Sequence, residues 1–534
     1  MTVDRDDAVR TLAEGRAVLG IELGSTRIKA VLVDPAGNVL ATGGHAWEND
    51  FVDRLWTYSL DAVWAGVQEA FRAVRADAER RFDVLPRRLA AAGVSAMMHG
   101  YLALDADGEL LVPFRTWRNT TTGAAAAELT EELGFNIPLR WSVAHYYQAV
   151  LDDEPHVPQV ASLTTLAGYV HRRLTGEQVL GVGDASGMFP VDPSTRDYDA
   201  DLLSRVDALV ARRNASAAAL SALLPTALAA GADAGRLTAE GAALLDPSGD
   251  LQPGVPFCPP EGDAGTGMVA TNAVAPRTGN ISVGTSVFAM AVLEQPLARV
   301  HHEIDVVTTP VGDLVAMVHC NNGASELGAW AGLLGGFAAA LGASADPDAV
   351  FGALLRAALD GEPDGGGLLA YNYLAGEPIT GLDEGRPLVV RTPDSRLTFA
   401  NFARTQVYGV FGTLSLGMEV LAEEGVELDV MVGHGGLFRT EGVAQRLLAA
   451  ALGIPVAVND AADEGGAWGI AVLAAYAVRD TGQELAEFLD RTVFARSATA
   501  VVEPEPDDVA GYARYLDRYR AGLVVQEAAT AALP

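Results

Sequence analysis

Two stretches of this chain set a glycine and two hydroxyl residues between apolar, β-rich runs: Gly24-Ser25-Thr26 and Gly284-Thr285-Ser286. Successive N–H groups and hydroxyls in a tight turn make a concavity that suits phosphate. Two such turns can grip a polyphosphate from both sides with few cations. Lys29, three residues beyond Thr26, adds one candidate charge. Glu22 precedes Gly24 by two residues and shares its strand face, since strand side chains alternate. A carboxylate there can hold Mg²⁺ directly or through water; the plainer reading is a half-exposed strand residue. Three further residues are candidates of weaker kind. Asp263, in Gly262-Asp-Ala-Gly-Thr-Gly267, reads by itself as a turn residue among glycines. Asp184 precedes Ala185-Ser186 as a turn or helix N-cap residue. Met98-His99-Gly100 closes an apolar run, where a lone histidine is often structural.

Regular elements must carry these residues. The run from Ala17 to Leu32 predicts a hairpin turning at Gly24-Ser25-Thr26, continued by a third strand at Val39–Thr42. Ser59–Ala76 has helical periodicity with Ser59 and Asp61 as caps, and Leu89–Ala96 reads as a buried strand. A further hairpin is expected to turn at Asp105-Ala-Asp-Gly108. The segment from Ala124 to Leu245 is mostly helical, and Pro253–Pro260 returns as an extended stretch. The run from Asn280 to Leu293 then repeats the form of the first hairpin about 260 residues later, which suggests an internal duplication. Helices follow at Phe402–Ala422, Val443–Leu452 and Gly465–Val478, with a strand at Leu428–Val432 leading into Gly433-His-Gly-Gly436. The expected division falls near Asn272: residues 1–271 and 272–534, two large halves rather than three or four small domains.

Bulk composition narrows the function classes. The 534 residues carry a formal charge of −32 with 49% hydrophobic residues, enough for packed cores. Such acidity argues against a nucleic-acid partner, because phosphate backbones reward clustered Lys and Arg. A single anionic ligand is still allowed, held by turn amides, a metal ion or a few cations. Two cysteines, Cys258 and Cys320, suggest neither a zinc site nor a disulfide framework, and a reducing cytoplasm is expected. The start of the chain lacks the pattern of a signal peptide. No apolar run reaches the ~18–20 residues of a spanning helix, so no membrane association is expected.

Taken in order, these motifs resemble those of the FGGY carbohydrate kinases, within the actin-like ATPase superfamily. The resemblance runs from about Val18 to Ala477. Gly20-Ile-Glu-Leu-Gly-Ser-Thr-Arg-Ile-Lys29 resembles the family's first phosphate motif, and Ser282-Val-Gly-Thr-Ser286 its second. Met98-His-Gly100, followed by Asp105-Ala-Asp-Gly108 and Trp117, resembles the substrate segment of xylulose kinases. Leu174-Thr-Gly-Glu177 with Asp184-Ala-Ser-Gly187 resembles the family's Thr-Asp-x-Ser-x-Ala-Ser segment. Gly262-Asp-Ala-Gly-Thr-Gly267 resembles its catalytic Gly-Asp turn. Gly433-His-Gly-Gly436 and Glu464-Gly-Gly-Ala467 resemble the two parts of its adenosine site.

The resemblance implies an α/β protein of two ribonuclease H-like domains with a cleft between them. ATP and Mg²⁺ would be the cofactors and a small sugar the substrate, with a ketopentose such as xylulose or ribulose first. It implies Asp263 as the general base, and Met98, His99 and Asp184 beside the sugar. Gly24, Ser25, Thr26, Lys29, Gly284, Thr285 and Ser286 would hold phosphates, Gly435, Gly436 and Glu464 the adenosine, and Glu22 the metal. A homodimer is one assembly open to such a chain. A dinucleotide site is a competing expectation at Gly433-x-Gly435, but the third glycine of that fingerprint is missing and Leu437-Phe438 follows. A nucleotide-dependent sensor without sugar phosphorylation is the other rival.

Several positions depart from the family pattern. Glu22 stands for the usual Asp, Met97 for Gln, and Asn119 for the Asp after Trp117. His145 and Gln148 replace Lys and Trp, and Tyr408 replaces an acidic or amide residue. These changes gather on the sugar side, so ATP chemistry is expected to carry over better than sugar identity.

Overall fold

The computed structural model describes residues 4–343, 346–459, 465–479, 482–497 and 499–533. Val18–Leu23 and Arg27–Val33 are β-rich strands closed by the Gly24-Ser25-Thr26 turn, and they pair antiparallel with Glu22 opposite Lys29. Val39–Ala46 adds a third antiparallel strand. On the other side of the first strand, Ala91–Ala96 pairs parallel, and Glu261–Gly262 pairs parallel beyond it to complete a five-stranded sheet. The Leu60–Phe82 helix covers this sheet with Val63, Val67, Phe71 and Val74 buried. Ser59 caps it, its Oγ accepting the Ala62 N–H at 3.1 Å. The hairpin across Asp105–Gly108 forms as expected, with antiparallel bridges Leu104–Leu110 and Tyr101–Arg115, and Leu102–Leu104 also pairs antiparallel with Ser162–Thr164.

A second sheet repeats the order. Thr278–Val283 pairs antiparallel with Val287–Val292, which pairs antiparallel with Leu314–Cys320. On its other side Thr278–Val283 pairs parallel with Val430–His434, and that strand pairs parallel with Val456–Asn459. Three antiparallel strands followed by two parallel ones thus occur twice. This is the ribonuclease H-like pattern, and it gives the repeated hairpin motif its structural counterpart. The Phe399–Glu423 helix is buried along most of its length in the second unit.

By contacts the chain forms two compact units. The first takes the chain up to Val274 with 306–314 and the described part of 461–496; the second takes 275–305, 315–460 and the described part of 497–534. The chain therefore crosses more than once, where the sequence suggested a single division near Asn272. The reason lies in the Gly465–Ala477 helix, which is apolar on nearly every face and packs on Val18–Leu23, Ala91–Ala96 and Asp263–Ala270. Close approach is possible only because position 20 is glycine: a Cβ there would overlap the Ala467 carbonyl. Among the described residues, no helix is long and apolar enough to cross a membrane.

Candidate active site

Asp263 opens the Asp263–Ala270 helix, directly after the short parallel strand Glu261–Gly262. It is the first residue of a helix rather than part of a free turn. Its Oδ1 accepts the Met98 N–H at 3.1 Å and the Ala264 N–H at 3.0 Å. The side chain is open to solvent yet heavily surrounded by protein, and this surrounding raises its carboxyl above the ordinary aspartate range. The two N–H donors oppose that rise, because they favour the ionised form.

Two buried carboxylates stand behind it. Asp184, 1% exposed, accepts a hydrogen bond from Thr165 Oγ1 at 2.6 Å on Oδ2, while Oδ1 has no hydrogen-bond partner among the described residues. Burial pushes its carboxyl up to about 7, the Thr165 hydroxyl opposes this, and the charge of Asp263 adds to it. Glu261 is buried and accepts the N–H groups of Gly183 and Asp184. Burial, then the charge of Asp184, push it well above the usual glutamate range. Sequence reasoning passed over Glu261; its place directly before the Gly-Asp pair was the available signal. The 306–314 segment secures this region, with the Thr308 hydroxyl donating to Val182 O at 3.0 Å and the Thr308 N–H donating to Ser186 Oγ at 2.9 Å.

Met98 and His99 are brought to the same place. His99 takes a left-handed backbone, φ +70°, and Gly100 follows with φ +97°. Its ring is buried, with Nδ1 3.2 Å from the Gly187 carbonyl, and burial pushes it down to about 3, so it is a neutral imidazole.

The first phosphate turn is tied from behind. Trp47 Nε1 donates to Gly24 O at 2.7 Å, Tyr58 Oη to Ser25 O at 2.6 Å, and the Trp47 N–H to Thr26 O at 3.1 Å. With its carbonyls engaged, the turn leaves Ser25 and Thr26 exposed. Lys29 lies opposite Glu22 on the paired strand. Glu22 Oε2 accepts the Ala467 N–H at 3.2 Å, in the first turn of the Gly465–Ala477 helix. Its other oxygen rests against Gly466, where a Cβ would come within 2.6 Å. Among the described residues no group of three or more His, Cys, Asp or Glu side chains could hold a metal ion. One carboxylate of hard oxygen donors, partly exposed, fits Mg²⁺ that keeps most of its ligands from phosphate and water.

In the second unit, backbone does the work of Trp47 and Tyr58. The Gly323 N–H donates to Thr285 O at 2.7 Å and the Ala324 N–H to Gly284 O at 2.8 Å, leaving Gly284 and Thr285 exposed and Ser286 half-buried. Asn322 anchors that loop by accepting the Leu374 and Ala375 N–H groups and donating to the buried Glu377. Gly435 has φ +101°, and a Cβ on it would lie 2.6 Å from the Val283 carbonyl oxygen. Gly436 begins a short 3₁₀ turn, and a Cβ on it would meet nothing within 4 Å among the described residues. Glu464 lies outside the described residues. Gly466 and Ala467, grouped with it by resemblance to the adenosine site, lie at Glu22 in the first unit.

Two family models match this chain: the N-terminal domain of the FGGY family of carbohydrate kinases over residues 17–269, and its C-terminal domain over 279–478. The chain belongs to the FGGY family of carbohydrate kinases. A xylulose kinase of Streptomyces coelicolor is 28% identical over 213 residues, which are 36% of this chain and 41% of that protein. A glycerol kinase of Thermococcus gammatolerans is 25% identical over 201 residues, 35% of this chain and 40% of that protein. The matched part thus spans only about two fifths of these curated relatives. Among solved structures, a xylulose kinase from Rhodospirillum rubrum aligns with TM-score 0.76 at 20% identity, covering 96% of this chain and 99% of its own. A gluconate kinase from Lactobacillus acidophilus aligns with TM-score 0.76 at 18% identity, covering 96% and 98%. These likenesses show the two-domain FGGY fold.

Against the FGGY pattern, several departures have local structural explanations. Asn119 is buried and reads the Trp56 backbone both ways: Oδ1 accepts its N–H at 2.9 Å and Nδ2 donates to its carbonyl at 2.8 Å. An aspartate could not supply the donor. Gln148 Oε1 accepts the Ala125 N–H at 3.1 Å, and Tyr408 Oη donates to Pro363 O at 3.0 Å. His145 is fully buried, neither ring nitrogen has a hydrogen-bond partner among the described residues, and burial pushes it down to about 3. Met97 is buried beside the first strand, its N–H donating to Leu23 O at 2.9 Å.

Proposed function

We propose that this chain is an ATP-dependent sugar kinase. It transfers the γ-phosphoryl group of ATP to a hydroxyl of a ketopentose, xylulose or ribulose, or of a related polyol. The observation that carries this reading is Asp263: a solvent-open carboxylate at a helix start, oriented by the N–H groups of Met98 and Ala264.

The sugar hydroxyl donates its hydrogen bond to Asp263 and attacks the γ-phosphorus. The new O–P bond forms as the bond to the bridging oxygen breaks, the proton passes to Asp263, and ADP leaves. A carboxylate suffices, because transfer through a loose transition state asks for positioning and late proton removal. The Gly24–Thr26 and Gly284–Ser286 turns take phosphate oxygens on N–H and hydroxyl donors. Lys29 adds a positive charge, and Gly435 and Gly436 leave room for the adenosine beside bare backbone. Glu22 would hold Mg²⁺, which neutralises phosphate charge when bound. Neutral His99 offers one ring nitrogen to a sugar oxygen, with Met98 and Asp184 shaping the same wall. The likeness to xylulose kinases favours a ketopentose.

A coupled ADP-release assay over xylulose, ribulose, glycerol and gluconate tests the reading. Sugar-stimulated ADP release supports it and ranks the acceptors. ATP binding without stimulation by any of them would replace it with a nucleotide-dependent sensor.

A further inference from the structure

Asp263 is only one of three carboxylates gathered at the start of its helix, and its role as base leaves Glu261 unused. Glu261 is 1% exposed, and no ion pair is found for Glu261, Asp184 or Asp263 among the described residues. An uncompensated buried carboxylate is expensive, so a side chain needed only to fill space would be apolar. What Glu261 provides is a pair of adjacent acceptors. Oε1 takes the Gly183 N–H at 3.3 Å and Oε2 the Asp184 N–H at 2.9 Å.

The surroundings are shaped for this carboxylate. Positions 181 and 183 are glycine; a Cβ at the first would overlap the Glu261 carboxylate, and at the second would lie 2.5 Å from Oε2. The backbone of Glu261 pairs with Ser95 in the sheet, and Gly262 and Asp263 follow directly. Asp184 Oδ1 in turn rests 3.2 Å from where a Cβ on Gly262 would stand. One buried side chain therefore ties the turn carrying Asp184 to the strand that delivers Asp263.

We propose that Glu261 is a positioning residue for phosphoryl transfer: by holding both N–H groups of the Gly183–Asp184 turn, it sets Asp184 behind Gly262 and so fixes where Asp263 meets the acceptor hydroxyl. The inference rests on the reading of Asp263 as base. A glutamine cannot replace Glu261, because it presents one acceptor and one donor to two N–H groups.

The experiment compares Glu261→Gln and Asp263→Asn with the native protein in sugar-dependent ADP release, with kcat expressed per ATP-binding molecule. For Glu261→Gln, kcat should fall about tenfold or more while KM for ATP stays unchanged, the split expected when a contact that orients the base is lost. An unchanged kcat per ATP-binding molecule overturns the proposal, as does a loss matched by equal weakening of ATP binding. If Glu261→Gln does not fold, Gly183→Ala crowds the same side chain while keeping both of its oxygens. The same kcat loss is expected there, and an unchanged kcat overturns the proposal. Inactive Asp263→Asn beside fully active Glu261→Gln removes only Glu261 from its role. Active Asp263→Asn removes the base reading and this inference with it.

Discussion

The carboxylate of Asp263 accepts the backbone N–H of Met98 at 3.1 Å, joining positions 165 residues apart in the chain. Met98 follows the central parallel strand Ala91–Ala96, and Asp263 follows the strand paired to it. The bond orients the carboxylate from the backbone, so it survives changes of side chain at position 98. It also survives Asp263→Asn, since the amide oxygen can still accept both N–H groups. We therefore expect Asp263→Asn to keep its melting temperature and ATP affinity while turnover falls by about a hundred- to ten-thousand-fold, the range for loss of a general base. Calorimetry with the ADP-release assay checks both halves.

Gly435 and Gly436 separate backbone need from ligand need. Gly435→Ala meets both a left-handed backbone and the Val283 carbonyl, and should destabilise the second unit by about 2 kcal/mol or more. Gly436→Ala meets nothing within 4 Å among the described residues, so melting should stay unchanged while ATP binding weakens. Thermal denaturation and ATP titration decide it; unaltered ATP affinity in Gly436→Ala would remove that residue from the adenosine site.

Asn119→Asp restores the residue usual in the family but should not restore a sugar contact. It replaces the Nδ2 donor to Trp56 O and Thr116 O with an acceptor facing two carbonyls. The expected outcome is a loss of about 1–3 kcal/mol in urea unfolding. Equal stability would show that position 119 is free to carry charge.

The buried acid Asp184 predicts a pH effect on stability. Its folded carboxyl, pushed up to about 7, holds a proton that the unfolded chain gives up near its ordinary value of 3.8. Its stabilisation is complete below that ordinary value and is lost as pH rises towards 7. His99 and His145, both pushed down to about 3, act oppositely: their contribution is complete above 6.5 and is lost as pH falls. Urea midpoints of the native protein and Asp184→Asn at about pH 5 and about pH 8 isolate the aspartate. The native advantage should be larger at the lower pH; an equal difference at both would contradict a buried neutral acid.

Much of this could be read directly from residue order. The Val443–Leu452 helix begins and ends where its apolar periodicity does, and the Phe399–Glu423 helix starts within three residues of expectation. Both phosphate turns are local: a glycine and two hydroxyl residues between β-rich runs specify a hairpin within a dozen residues. Less legible was whatever depends on a partner far along the chain. The Gly465–Ala477 helix has nearly the same apolar character all round, so no face of it declares which sheet it will cover. Asn119 looked like a lost charge, and only the Trp56 backbone beside it shows why an amide is needed.

The sequence by itself determined the repeated hairpin, the order of motifs and the types of groups available for phosphate and proton transfer. These follow from local turn chemistry and strand periodicity, which act over a few residues. Tertiary structure alone decided that Trp47 and Tyr58 brace the first phosphate turn, that Glu22 meets the Gly465–Ala477 helix, and that buried Glu261 and Asp184 stand behind solvent-open Asp263. Burial, not residue type, sets the proton affinity of those acids, and burial belongs to the packed chain as a whole.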